Sequence, residues 1–417
     1  GVVKSKFSGY HGYWPISNVK VDFRFGSEKE VKTLLDDAHA DNKNVILDYV
    51  ANHVHIQHPV YQNHKDWATS LYLPDGTKNT EKWDEHRLTT WFDDHLPTLD
   101  LRKWEVVDPM VDSALYWITN YSFDGFRHDA TKHIDELYWR TLTYRVRTKT
   151  DKPIYQIGET YGSPQLINSY IGTGMLDAQF DFNLYDAAVS AFANSDGNLE
   201  QLKAKLEQGL AVYGHHHLMG NITGNQDRSR FITLSSGEAK FSEDQKLAGW
   251  EREIGKPSAE AYKRLALLHA FNNAVPGIPC IYYGDEYGMP GAGDPDNRRM
   301  MEFEGLDKDE AQLLKKVKEL NNLRGSQLPL LYGSTNCEVN ENGLMTITRQ
   351  YLNQKVIVVI NTSDSELNNI LELDVAEKKL VKVIGGDGYM LSAKLLGNTS
   401  VVIPPLSYVY LSVENQK

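Results

Sequence analysis

From Ser27 to Asn322 the chain alternates short apolar runs with longer helical patterns, and this alternation limits it to very few folds. Residues 45–50, 122–129, 154–159, 178–182 and 278–283 read as strands. Residues 27–40, 105–120, 134–148, 184–193, 198–211, 259–272 and 309–322 read as helices, the first opened by Ser27 as N-cap with Glu30 as its capping-box partner. Strands separated by helices of this length imply a parallel sheet with crossover connections. Carboxylates stand at or near the C-terminal ends of the apolar runs: Asp48, Asp129, Glu159, Asp227 and Asp285. A (β/α)8 barrel builds its active site at that end. A doubly wound open sheet would instead gather its ligand groups at one switch point. The expected organisation is therefore a barrel over residues 1–53 and 104–326 and a small inserted domain over 54–103, a polar and aromatic stretch too long for an ordinary loop. Residues 327–417 read as short strands (343–351, 355–361, 370–373, 401–403 and 408–413) separated by turns such as 340–343 and 385–388, which predicts an all-β sandwich domain.

Composition enters mainly by exclusion. With 44 basic and 56 acidic residues the formal charge is −12, which disfavours nucleic acid and anionic membrane as partners. No apolar run reaches the length of a membrane span. Two cysteines make neither a disulfide framework nor a metal cluster, and Cys280, in an apolar run, is expected to be a buried thiol. The 23 Tyr, 13 Phe and 8 Trp suit a carbohydrate ligand, because sugar faces are apolar and stack on rings, although most of these aromatics are expected in the core. His215-His216-His217 is read as structural, since consecutive residues of an extended segment point alternately and do not converge on one ion.

The chemistry concentrates in Asp124-Gly125-Phe126-Arg127-His128-Asp129. Arg127 and Asp129 lie two apart on a strand and leave the same face. A carboxylate beside a guanidinium stays ionised and can serve as a nucleophile. The next apolar run ends in a second carboxylate, Glu159. Its pKa would be raised by the nearby charge of Asp129, so that it could hold a proton. One charged and one protonated carboxyl are the minimal equipment for splitting a glycosidic bond, and retention of configuration needs them about 5–5.5 Å apart. Neighbouring strands lie about 4.8 Å apart, so strand tips can meet that spacing.

Six ordered motifs then carry a resemblance: Tyr10-His11-Gly12-Tyr13-Trp14, Asp48-Tyr49-Val50-Ala51-Asn52-His53, residues 125–133, Gly158-Glu159, Asn225-Gln226-Asp227 and residues 277–286. The chain resembles the α-amylase family of retaining glycoside hydrolases (glycoside hydrolase family 13). The resemblance implies a (β/α)8 barrel with the inserted domain after its third strand. It also implies hydrolysis of α-1,4 bonds in starch, maltooligosaccharides or related α-glucans, with no cofactor needed for the chemistry. It casts Asp129 as nucleophile, Glu159 as acid and base, and Asp227 as the third carboxylate, with Arg127 fixing the nucleophile. Asp48 and His53 would line the reacting-sugar subsite, and Tyr13 would stack on that sugar. Lys132 and His133 would meet the leaving-group side, and Gln226 would bond a sugar hydroxyl. Asp294 and Arg298, in the 293–298 loop, would bind the non-reducing-side glucose as in neopullulanase and cyclomaltodextrinase relatives. For Asp48 a structural role as a bridge to Arg127 stands equally open, and Asp294 with Arg298 has a plain ion pair as its alternative.

Three departures from the family pattern bear on these expectations. Gln226 stands where the family usually has histidine, so it can bond a hydroxyl but carries no charge. Thr98 stands where calcium-binding relatives commonly have aspartate, which leaves Asn52 as the one candidate ligand for a structural calcium. The chain opens in what would be the loop after the second barrel strand, with no signal-peptide pattern in Gly1–Lys6. Strands one and two are therefore expected from residues outside this sequence or from another chain. Sparse cysteine and a polymeric substrate fit an exported bacterial enzyme, with a cytoplasmic one as the alternative. Transfer of the glycosyl group to a second sugar is the rival reaction, and a non-catalytic sugar-binding protein on the same scaffold is the rival class.

Overall fold

A computed structural model describes residues 9–172, 174–372, 379–395 and 398–415. The expectations for Gly1–Lys6 and for Leu373 lie outside them. The chain divides into two compact units, residues 1–180 and 181–417.

The first unit is built on a parallel sheet of four strands in sequential order: β1 (Ile46–Tyr49), β2 (Gly125–His128), β3 (Tyr155–Gly158) and β4 (Ala178–Gln179). Helices Glu28–Ala40, Trp104–Tyr121 and Glu136–Lys149 alternate with the strands, as the sequence pattern requires. The first helix has the expected capping box, with Ser27 and Glu30 each bonding the other's backbone N–H. Val107, Val111 and Leu115 from the second helix and Trp139 and Leu142 from the third share one buried core with Tyr49 and Phe126 of the sheet. Residues 121–123 depart from expectation. Tyr121 ends the helix, and Ser122 takes a left-handed C-cap conformation (φ 66°) in place of a strand start. Such a cap lets Ser122 N–H still reach the Ile118 carbonyl before the chain turns into β2. The inserted segment is irregular. It has one short helix (Pro59–Asn63), one 3-10 turn (Lys65–Trp67) and isolated bridges such as His53 with Thr98 and Thr80 with Trp91.

The second unit opens with helix Phe182–Phe192, which corrects the strand expected over 178–182. The Asp181 carboxylate accepts from the Leu184 N–H and so starts a helix at Phe182. β5 (Gly220–Ile222) and β6 (Ile278–Cys280) pair in parallel. β6 is shorter than residues 278–283, and Cys280 is only partly buried, against expectation. Helices Leu199–Tyr213, Ala259–Ala274 and Lys308–Ser326 complete the α/β part.

The remaining strands are β7 (Ser334–Val339), β8 (Leu344–Tyr351), β9 (Gln354–Asn361), β10 (Leu367–Glu372), β11 (Lys379–Gly386), β12 (Tyr389–Leu395), β13 (Asn398–Ile403) and β14 (Ser407–Asn415). They form a five-stranded sheet, β11-β14-β9-β8-β7, and a three-stranded one, β10-β13-β12. Leu344, Ile357 and Val409 from the larger sheet bury against Val401 and Ile403 from the smaller one, which makes this region a sandwich. Strands β7, β11 and β12 were not visible in the sequence pattern. The sandwich is tied to the α/β part through a helix end: Arg349 of β8 donates to the Ala274 carbonyl and the Tyr410 hydroxyl of β14 to Ala270. Arg324, within the α/β part, donates to the Asn273, Val275 and Gly277 carbonyls. Two buried cations thus satisfy the unpaired carbonyls at the negative end of helix Ala259–Ala274.

Candidate active site

Register places the site residues of the first unit. β1 and β2 pair Asp48 with Arg127, and β2 and β3 pair His128 with Gly158. Asp129 and Glu159 are therefore the next residues past two neighbouring strand ends. Arg127 holds them together. Its Nη1 donates to Asp129 Oδ1 at 2.9 Å and to Asp48 Oδ1 at 2.8 Å, and its Nη2 meets Glu159 Oε2 at 2.6 Å. Both expected catalytic carboxyls thus sit in the hydrogen-bond shell of one guanidinium, with Arg127, Asp129 and Glu159 each 8–9% exposed. Burial works against the Arg127 charge, but Glu159 first, then Asp48 and Asp129, outweigh it and hold its pKa well above the ordinary value.

The same contact qualifies the expectation for Glu159. Coulomb attraction from Arg127 favours the Glu159 carboxylate, opposing the effect of Asp129. A proton on Oε1 would leave Oε2 able to accept from Arg127, so the acid form is compatible with this geometry.

Tyr13 stands over Arg127, with the guanidinium carbon 5.6 Å from its ring centre, and its hydroxyl donates to Asp48 Oδ2 at 2.6 Å. Burial pushes that phenol far up, so it remains a donor. Asp48 thus joins Arg127 and Tyr13, and the bridge to Arg127 is present. His53 Nε2 lies 2.9 Å from the Tyr13 carbonyl, and its ring packs on Phe92 of the inserted segment. Burial lowers the His53 pKa and takes that of His133 down to about 4, so both rings are neutral at pH 7. After Asp129 the chain turns through Ala130 in the left-handed region (φ 51°, ψ 40°) into a 3-10 turn, Thr131–His133. Lys132 and His133 are buried there. Lys132 Nζ lies 2.8 Å from Asp84 Oδ1, and His133 Nδ1 lies 2.8 Å from the Arg87 carbonyl.

Two supporting residues escaped the sequence reading although they lie inside the quoted motifs. The Thr131 hydroxyl accepts from the Glu159 N–H at 3.1 Å and donates to the His128 carbonyl at 3.2 Å, which fixes where Glu159 leaves its strand. Gly158 makes room for it, because a Cβ there would fall 2.5 Å from the Thr131 hydroxyl. Glycine at this position is a steric requirement of the site.

In the second unit Asp227 is exposed, in the turn following β5. Arg298 lies 3.4 Å from Asp227 Oδ1, donates to the Gln226 carbonyl at 3.1 Å, and pairs with Asp294 Oδ1 at 2.8 Å. Gln226, Asp227, Asp294 and Arg298 therefore form one cluster. The Asp294–Arg298 ion pair given as the alternative is present, and it reaches Asp227. Asn297, which the sequence did not single out, is fully buried and donates to the Gln226 and Arg228 carbonyls, each at 2.8 Å, which holds the turn carrying Asp227. Asp285 is not a site residue. It is 1% exposed, paired with Arg230 at 2.9 Å and bonded by the Thr223 hydroxyl at 2.7 Å.

Around Asn52 no calcium site is found among the described residues. Its Oδ1 is buried with no hydrogen-bond partner among the described residues, as a metal ligand would be. The Thr98 hydroxyl beside it, however, donates to the Thr90 carbonyl, and Asp100 is paired with Arg102. Among the described residues no group of three or more acidic, His or Cys side chains could hold an ion. Calcium takes six to eight oxygen ligands from carboxylates, carbonyls and water, and the acidic cluster that would supply the charge is not found among the described residues.

Parallel strands with carboxylates just past their ends, followed by an all-β domain, define the class as an α/β scaffold of the kind that carries its site at the strand ends. The α-amylase catalytic-domain model matches residues 2–327, and the chain belongs to that family. Cyclomaltodextrinase from Geobacillus thermopakistaniensis is 27% identical over 97% of this chain and 65% of its own length. Maltogenic α-amylase from Bacillus acidopullulyticus is 25% identical over 88% of this chain and 60% of its own. The chain thus spans somewhat under two thirds of the length of these curated relatives. Among solved structures, the α-amylase of Geobacillus thermoleovorans complexed with acarbose superposes with a TM-score of 0.82 at 28% identity, covering 98% of this chain and 86% of that one. An Anoxybacillus α-amylase gives 0.81 at 28% identity, covering 98% and 84%. These relatives imply a TIM barrel followed by a C-terminal β domain. No helix among the described residues is long and apolar enough to cross a membrane.

Proposed function

We propose that this chain carries the catalytic machinery of a retaining, endo-acting hydrolase of α-1,4 bonds in starch, maltooligosaccharides or related α-glucans. The observation that carries the reading is the single guanidinium of Arg127 bonded to both Asp129 and Glu159. In this reading Asp129 attacks the anomeric carbon while protonated Glu159 delivers its proton to the leaving oxygen. The resulting glycosyl ester on Asp129 is then hydrolysed by a water that Glu159 deprotonates. Arg127 holds Asp129 and Glu159 in one hydrogen-bond shell, Tyr13 and His53 bound the reacting sugar, and Lys132 and His133 meet the leaving-group sugar. Asp227, steadied by Arg298 and Asn297, supplies the third carboxylate, with Gln226 bonding a sugar hydroxyl and Asp294 with Arg298 the non-reducing-side glucose. The names of the cyclomaltodextrinase and maltogenic amylase relatives support α-glucans as the substrate class. We place the enzyme among exported bacterial proteins, which fractionation of the source cells would check.

The test is proton NMR of early products from maltopentaose and starch. New reducing ends should appear first as the α-anomer, and starch should lose viscosity faster than it gains reducing ends. Asp129→Asn should lower kcat by at least about 10⁴-fold while leaving the circular dichroism unchanged. Early β-anomer product, or full activity of Asp129→Asn, would refute the assignment.

A further inference from the structure

A short turn of the inserted segment, residues 83–87, grips the 131–133 turn at several points. Asp84 Oδ1 lies 2.8 Å from Lys132 Nζ. Arg87 Nη1 donates to the Lys132 carbonyl at 2.9 Å, and the Arg87 carbonyl lies 2.8 Å from His133 Nδ1. The Trp83 ring meets that of His133 edge-on at 5.6 Å. Tyr170 backs the contact, its hydroxyl bonded by Arg87 and donating to the Lys132 carbonyl at 3.1 Å. The exposure is one-sided: the Lys132 side chain is 10% exposed and that of Asp84 86%. Structural anchoring of a loop does not need a carboxylate standing in solvent with its reach spent on one buried ammonium. Positioning does. A lysine has a flexible four-carbon stem and three donors, and a single ion contact fixes its direction while using one donor.

We propose that Asp84 and Arg87 are positioning residues that aim Lys132 and His133 at the hydroxyls of a leaving-group sugar, so that this turn sets the enzyme's preference for a sugar on that side of the scissile bond. The inference rests on the hydrolase reading above, because the leaving group is defined by it. Asp84 acts through Lys132 and touches no reacting atom. A substrate whose leaving group lacks sugar hydroxyls therefore gains nothing from it.

The experiment compares maltopentaose with 4-nitrophenyl α-maltoside, scored for nitrophenol release, in wild type, Asp84→Asn and Asp84→Glu. Asp84→Asn should lower kcat/KM on maltopentaose by about three- to tenfold, as expected for one charge-assisted contact, and change nitrophenol release by less than about twofold. Asp84→Glu should recover most of the loss. Equal losses on both substrates would mean that the turn is only structural, and no loss on either would mean that it does nothing for Lys132; each overturns the proposal. A thermal midpoint within a few degrees of wild type confirms that the exposed substitution leaves the fold intact. Failure of the wild type on both substrates would strike the hydrolase reading itself, whereas activity on both with an indifferent Asp84→Asn strikes only this inference.

Discussion

Arg127 and Arg230 are both buried arginines paired with an aspartate, yet one gathers surplus carboxylates and the other is enclosed by its packing. Arg127 faces three carboxylates, Asp48, Asp129 and Glu159, so its shell carries an excess of negative charge. Arg230 faces one, Asp285, and spends its other donors on the Tyr283 and Asn297 carbonyls and the Met289 sulfur, with Tyr282 stacked 4.2 Å from its guanidinium carbon. The Arg127 side chain is 10% exposed and that of Arg230 is sealed. A neutral, fully satisfied pair can be buried outright. A cluster with surplus carboxylates must keep contact with solvent or ligand, because unpaired charge is too costly to enclose. The difference lies in charge balance and access, and the Arg–Asp pair as such is common to both.

Removing one partner from each cluster should break them in opposite ways. Arg230→Met leaves Asp285 buried without its counter-charge and should cost about 3–5 kcal/mol of folding stability, read as the guanidinium chloride midpoint. Adding Asp285→Asn should recover part of that loss. A cost below about 1 kcal/mol would end the contrast between the two arginines. Arg127→Lys keeps a positive charge but loses the planar fork that reaches Asp129 and Glu159 together. It should lower kcat by about 10²- to 10³-fold while the folding midpoint changes little. An unfolded Arg127→Lys protein would show that this cluster, too, is mainly structural.

The smallest expected effect concerns acid. Burial holds His128 down to about 3 and His133 to about 4, and lowers His53, all in the first unit; in the second it takes His217 to about 4 and lowers His269. These folded-state values lie below the unfolded value of about 6.5, so between about pH 6.5 and 4 the unfolded chain binds protons that the folded chain does not. Stability is therefore full above that window and falls as pH drops through it. Hydrogen exchange, corrected for intrinsic rates, should show residues 125–160 losing protection at pH 5 before residues 278–290. The reverse order would contradict the histidine balance.

The sequence was most legible where the physics is local. The Ser27–Glu30 capping box, the strand and helix alternation and the 127/129 spacing follow from contacts within a few residues, and all of them appear in the structure. Extent was harder to read. The run ending at Phe182 looked like one strand until Asp181 capped a helix, and β11 and β12 became strands only through their partners β14 and β13. The resemblance singled out Asp129, Glu159 and Asp227. It gave no signal for Asp84 and Arg87, which come from an irregular segment far away in the chain.

What the sequence determined by itself is the position of Asp129 and Glu159 just past neighbouring strand ends and the scaffold that puts them there, since backbone periodicity and caps are properties of neighbours. Which of the chain's acids remains available was decided by tertiary structure. Asp129 and Asp285 each met an arginine, but the chain gathered two more carboxylates around Arg127 and closed carbonyls and aromatic faces around Arg230. Desolvation and charge balance depend on everything packed about a group, and no short stretch of sequence contains that information.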